Sequence, residues 1–218
     1  MKHLYIVVEG QTEEKFVTEI LSPYFNAFGF YNTTPVKIQT SRGNKGGFVN
    51  YQHLKNDVTR LLKQPNAVVT TLVDFFRIPK DLPNYQACME KTQANTKIEC
   101  LEQAMQTDIG SSDRFFPYIQ KYEFEALLFS SKQVFVENYE EKIANDIAKI
   151  IDKYLTPEEI NDNPTTAPSK RLLSIIPDYN KVIDGNLIAL EVGITQILKQ
   201  CPRFKEWIEL LKSKLITV

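Results

Sequence analysis

Apolar positions recur along this chain with two periods. Residues 3–8, His-Leu-Tyr-Ile-Val-Val, form a continuous β-branched and aromatic run, and residues 67–73, Ala-Val-Val-Thr-Thr-Leu-Val, form a second. Unbroken runs of this length suit strands buried on both faces of a mostly parallel sheet. Residues 35–40 alternate and predict a further strand at an edge. Residues 115–120 predict a fourth, whose Pro117 suits an early strand position or an edge. Helical spacing fills the intervals. Phe16, Val17, Ile20, Leu21 and Tyr24 follow Thr12 as a candidate N-cap. Leu54, Val58, Leu61 and Leu62 stripe a helix over 51–63. A long polar helix is predicted over 84–107 and a shorter one over 122–129.

From about residue 131 the strand signal fades. Helices are predicted over 134–154, 186–200 and 203–215, with short turns around 170–184 and a polar, proline-bearing loop over 161–169. The expected class is therefore α/β: a mostly parallel four-strand sheet flanked by helices within residues 1–130, and a helical C-terminal part over 131–218.

Composition narrows the chemistry. Lys plus Arg is 26 and Asp plus Glu is 27 in 218 residues. Such a balance gives no global field that steers the chain to a polyanion, so any such contact must come from local patches or a partner. His3 and His53 are the only histidines, which leaves little for a His-rich zinc site or a Ser-His-Asp triad. Cys88, Cys100 and Cys201 fit no zinc spacing and read as reduced packing residues. No apolar stretch approaches bilayer length. The apolar run that follows Met-Lys-His is interrupted at Glu9, too short and too early for the expectation of a signal peptide. The expected location is cytoplasmic.

The candidate chemistry lies at strand ends, where ligands of open parallel sheets collect. The first strand runs into Glu9, the 67–73 strand into Asp74, and the fourth leads to Glu123 and Glu125. Glu13 follows Glu9 by four residues, one helical turn, and can face the same space. Each acid alone also fits a helix cap or an ion-pair partner. Together, without histidine, they fit a hard divalent cation, Mg²⁺ or Mn²⁺, bound through oxygen with substrate phosphate. Basic residues that could hold phosphate are Arg42 and Lys45 in a glycine-bearing loop, Lys170 and Arg171 after a proline turn, and Arg77 just past Asp74.

Val8-Glu9-Gly10-Gln11-Thr12-Glu13, followed by an apolar strand ending in Asp74, resembles the Toprim fold of topoisomerases, primases and the overcoming-lysogenization-defect nucleases. Glu9, Gly10 and Glu13 match its first motif, and Asp74 matches the first Asp of its Asp-x-Asp motif. Phe76 stands where the second Asp would be, so a two-metal centre would need Glu123 or Glu125. Further segments extend the resemblance over nearly the whole chain: Lys45-Gly46-Gly47, Thr70 to Asp74, Tyr122 to Phe129, Ala167 to Leu172, and Cys201-Pro202-x-Phe204-x-x-Trp207. In these it is similar to the bacterial Toprim-like family DUF4276. The resemblance implies catalytic Glu9, Glu13 and Asp74, and metal held by Glu9, Asp74, Glu123 and Glu125. It also implies a Mg²⁺-dependent nuclease or phosphoryl-transfer subunit acting on DNA or RNA with an ATPase partner, in DNA processing or anti-phage defence. The alternative is a non-catalytic regulator of that ATPase.

Overall fold

The computed structural model describes residues 2–41, 44–45, 47–161 and 165–216. The chain divides into two compact units, Met1–Lys121 with Leu210–Val218, and Tyr122–Glu209.

In the first unit, β1 (His3–Val8) leads into α1 (Gln11–Phe16), a π-helical turn (Val17–Leu21) and α2 (Ser22–Ala27). Strand β2 (Thr33–Lys37) follows, then a small antiparallel pair, β3 (Gln39–Ser41) and β4 (Asn44–Lys45). Helix α3 (Tyr51–Leu62) precedes β5 (Ala67–Asp74); α4 (Tyr85–Met89) and α5 (Ala94–Asp108) lead to β6 (Phe115–Phe116) and β7 (Ile119–Gln120). The sheet order is β2-β1-β5-β6, with β7 also on β5, and every pairing within it is parallel. The expected α/β class with its mostly parallel four-strand sheet is what forms.

The two apolar runs are the centre of that sheet. Successive side chains point to opposite faces. Tyr5, Val7, Val69 and Val73 pack on one side with Leu54, Val58, Ile98, Leu101 and Met105. Leu4, Ile6 and Val8, on the other face, are also fully buried. Each such aliphatic side chain contributes about 1.5–3 kcal/mol on removal from water.

The fourth expected strand is interrupted at Pro117. A proline has no N–H for the ladder, so β6 pairs with Val69–Thr70, and β7 resumes only at Val73–Asp74. Threonine hydroxyls bridge the gap. Thr70 Oγ1 donates to the Phe116 carbonyl (2.5 Å). Thr71 Oγ1 donates to the Tyr118 carbonyl (2.7 Å) and accepts from the Tyr118 N–H (2.8 Å).

Several expected elements differ. Gly10 rather than Thr12 is the N-cap of α1, and Thr12 is buried within the helix. The predicted 84–107 helix is broken between Met89 and Ala94 into α4 and α5. Cys88 and Cys100 are joined by a disulfide between these helices rather than reduced, whereas Cys201 is free and buried. Their Cα atoms stand 5.5 Å apart. The helical hairpin brings together two thiols that stand twelve positions apart in the chain.

The second unit begins with a 3₁₀ segment (Phe124–Ser130) in place of the predicted 122–129 helix; all seven of its residues are buried, so no solvated face sets a 3.6-residue period. Helices α6 (Lys132–Asn138) and α7 (Glu141–Lys153) replace the single one predicted over 134–154. A short 3₁₀ turn (Pro157–Glu159) and α8 (Pro168–Ile175) follow. Helices α9 (Asp184–Val192) and α10 (Ile194–Gln200) part at Gly193, whose φ of 74° lies where a side chain is disfavoured. Helix α11 (Pro202–Ile216) closes the chain. Among the described residues, no helix is long and apolar enough to cross a membrane.

Helix N-termini are capped by distant carboxylates. Glu158, only 2 % exposed, accepts from the N–H groups of Arg203 (2.9 Å) and Phe204 (3.0 Å) at the start of α11. Asp81 accepts from Tyr51 N–H at the start of α3 (3.0 and 2.9 Å). A carboxylate there satisfies orphan donors and meets the positive end of the helix dipole.

Two stability measurements check these contacts. Glu158→Ala should cost about 1–3 kcal/mol in urea unfolding, because the buried Phe204 N–H and the part-buried Arg203 N–H lose their acceptor. Cys100→Ser should cost about 3 kcal/mol relative to the oxidised wild type, the loop-closure value for a cross-link of this span. A reductant should lower the wild-type Tm and leave the variant unchanged.

Candidate functional site

The first unit places two of the predicted acids at one sheet edge. Because β1 and β5 run parallel with Val8 opposite Leu72, both chains leave the sheet on the same side. Glu9 and Asp74 emerge together, each half-buried. The Asp74 N–H makes a long contact to Glu9 Oε2, 3.4 Å. The Glu9 carbonyl accepts from Gly47 N–H at 2.7 Å, which ties the end of the glycine-bearing loop to the same place. Arg42, and the side chain of Lys45, lie outside the described residues.

Glu13 lies one turn along α1, and its Oε2 accepts from Gly10 N–H at 2.9 Å. Space is tight there: a Cβ on Gly10 would stand 3.2 Å from that oxygen. Glu13 thus holds the turn that carries Glu9, whatever else it does. Beyond Asp74 the chain turns sharply. Arg77 is exposed and adopts φ of 60°, an uncommon state for a long side chain. Its guanidinium lies 5.2 Å from the centroid of the Phe76 ring.

Sequence reading missed Lys121. It follows β7, whose Gln120 pairs with Asp74, and it is only 5 % exposed. Its backbone therefore leaves the sheet at the carboxyl end, next to the Gln120–Asp74 pair. The available signal was a lysine directly after a strand, within Gln120-Lys121-Tyr122.

The remaining predicted residues lie in the second unit. Both oxygens of Glu123 are engaged by Ser169, through its N–H (2.9 Å) and its hydroxyl (3.1 Å), at the start of α8. Glu125 is 3 % exposed and pairs with Lys181 at 3.0 Å. Burial raises its carboxyl above the ordinary glutamate range; Lys181 opposes that shift, and Glu123 adds to it. Tyr179 presents a buried hydroxyl beside Gly185, where a Cβ would come within 2.9 Å of that oxygen. Burial and then the Glu125 charge push this phenol up. Arg171 donates to the Thr166 carbonyl (2.7 Å) and the Tyr154 hydroxyl (2.8 Å), and Lys170 is exposed. Ser169, which precedes Lys170 and Arg171 in the expected phosphate clamp, instead binds Glu123, 46 positions away in sequence.

The donor chemistry at Glu9 and Asp74 fits a hard divalent ion: two carboxylates on adjacent strands, with no histidine or thiol supplied. Among the described residues, no group of three or more His, Cys, Asp or Glu side chains could hold a metal by itself.

This chain belongs to the family described as a domain of unknown function (DUF4276), which matches residues 8–212. Among solved structures it is similar to the C-terminal region of the Xanthomonas campestris pv. campestris OLD protein. The mercury-phased form has a TM-score of 0.43 and 16 % identity, covering 96 % of this chain and 98 % of that one. The iodine-phased form has a TM-score of 0.42 and 17 % identity, covering 98 % of each. No curated protein matches the sequence.

The raised carboxyl of Glu125 sets a pH dependence. A group that holds its proton more tightly when folded makes stability fall as pH rises from the ordinary glutamate range through the folded value. Urea unfolding over a pH series should show that decline in the wild type. Glu125→Gln, which cannot ionise, should remove it, and Lys181 can remain solvated at its partly exposed position.

Proposed function

We propose that this protein is a Toprim-like, Mg²⁺- or Mn²⁺-dependent phosphodiester-cleaving enzyme or nuclease subunit. It acts on DNA or RNA, and works with an ATPase partner in DNA processing or anti-phage defence. The observation that carries the reading is the meeting of Glu9 and Asp74 at the carboxyl ends of adjacent parallel strands.

Each residue has a role in this reading. Glu9 and Asp74 hold the ion. Glu13 fixes the Gly10 turn and with it the Glu9 backbone. Lys121, just past β7, and Arg77, from the exposed turn, offer positive charge to a phosphodiester drawn to the same edge. Arg42 and Lys45 are the loop cations proposed for the same task. Lys170 and Arg171 are proposed phosphate-binding residues of the second unit, and Glu123 and Glu125 its proposed metal ligands, each with a protein partner already in hand. Once bound, a divalent ion supplies charge neutralisation at the phosphoryl oxygens and lowers the pKa of an attacking water.

A second reading rests on a specific departure: Phe76 occupies the position of the second motif aspartate. In that reading the protein is a non-catalytic partner of the ATPase and binds no metal.

Calorimetric titration with Mn²⁺ separates the two. The enzymatic reading expects binding in the wild type that Asp74→Asn abolishes. Plasmid cleavage, with and without the ATPase, should fall about 100-fold or more in Glu9→Gln, as several kcal/mol of charge stabilisation are lost. Equal behaviour of wild type and Glu9→Gln in every such condition sinks the nuclease reading.

A further inference from the structure

The opposite end of the same sheet carries different chemistry. Where β1, β5 and β6 begin, a groove of about 650 Å³ is lined by Lys2, Asn66, Asp113, Arg114, Phe116 and Lys214, among others. Its cations outnumber its acid three to one, in a chain whose net charge is −1. The asymmetry is therefore local. Ala67 and Val68 of β5 line this groove, whereas Asp74 closes the other end of that strand. At about 3.3 Å per residue, the two ends stand roughly 20 Å apart.

The cations are positioned by backbone oxygens and aromatic rings. Lys2 Nζ donates to the Lys214 carbonyl at 2.7 Å. Lys214 Nζ stands 5.2 Å from the centroid of the Phe116 ring. Arg114 donates to the carbonyls of Leu62 (2.9 Å) and Gln64 (3.1 Å), at the end of α3. Two residues before Lys214 on α11, Lys212 Nζ lies 4.0 Å from the centroid of the Phe28 ring. Phe28, 48 % exposed, and Tyr31, 67 % exposed, precede β2, whose Thr33 pairs with Leu4, so they flank the groove at the same end of the sheet. Aromatic rings interleaved with cations are what a single strand of nucleic acid uses, through base stacking and phosphate attraction. A simple anion has no use for the rings, and a membrane surface would not call for a concave site.

We propose that the amino end of this sheet is a binding track for single-stranded nucleic acid, carried by Lys2, Arg114, Lys212 and Lys214 with Phe116, Phe28 and Tyr31. The track does not depend on the carboxylate edge for its ligand, so it stands apart from any cleavage there.

The test is fluorescence anisotropy of the full chain in Glu9→Gln background, with EDTA. The probes are labelled oligothymidylate and oligouridylate of about 20 nucleotides, long enough to cover one site. Binding of either is expected to weaken about tenfold or more when Lys2→Glu and Lys214→Glu are combined. The slope of log affinity against log salt should flatten by about 1.4, or 0.7 for each lost phosphate contact. Tyr31→Ala should weaken binding several-fold and leave that slope unchanged. Circular dichroism and thermal melting verify that each variant is folded, and Lys→Gln versions replace any that are not. No binding by the parent protein, or unchanged affinity in the lysine variants, overturns the proposal. So does loss of binding in Asp74→Asn with the lysine variants silent, which points to the carboxylate edge. Equal affinity for heparin with Tyr31→Ala silent also overturns it, because that is the behaviour of a generic polyanion patch. Cleavage assays on the wild type are scored separately, so failure of the track and failure of the nuclease reading are distinguishable.

Discussion

Parallel pairing of β1 with β5 is the constraint on which the rest of the first unit depends. Parallel strands in one sheet leave it on the same side, so the residues that follow them meet without any long side chain reaching across. The register, Val8 against Leu72, brings Glu9 within contact of the Asp74 backbone. Close packing on both faces fixes that register, because a slip of one residue would exchange side chains of different shape between two filled faces. The carboxylate pair is thus a product of the core, and its geometry is as stable as the sheet beneath it.

The parts of this arrangement that sequence makes legible are those with a local signature. Unbroken apolar runs locate β1 and β5, and an acid directly after each locates the edge. DUF4276 membership agrees with the segments that pointed to it. Other parts have no local signature. The Phe124–Ser130 segment is buried throughout, so its composition fits a helix as well as a 3₁₀ turn. The break at Pro117 was visible, but the threonine hydroxyls that repair the ladder come from the neighbouring strand. The Cys88–Cys100 bond needs the turn between α4 and α5 to reverse the chain. Lys121 and Ser169 acquire their surroundings only from residues remote in sequence. Arg42 and the Lys45 side chain lie outside the described residues.

Carboxylates in this chain serve two ends. Asp81, Glu123 and Glu158 each accept backbone N–H groups at a helix start. Glu13 does the same for the Gly10 turn. Glu9 and Asp74 stand together at the end of adjacent strands, where Glu9 Oε2 also meets the Asp74 N–H. An acid-rich segment therefore says little until its acceptors are matched to donors, and the near-neutral composition hides the distinction. The same holds for the cations. Arg171 and Arg114 spend hydrogen bonds on carbonyls and a phenol, and in Arg114 that anchoring coincides with a groove of positive character.

The capping carboxylates also bear on the order in which the chain folds. Asp81 reaches α3 across 30 positions, Glu123 reaches α8 across 46, and Glu158 reaches α11 across 45. A cap of this kind is absent while the chain is extended, since its acceptor arrives only when a loop has closed. Fragments containing these helices alone lack those carboxylate oxygens, although in α3 the local Asn50 still serves the His53 N–H. Helix completion is thereby deferred until tertiary structure exists, which raises contact order and slows the search.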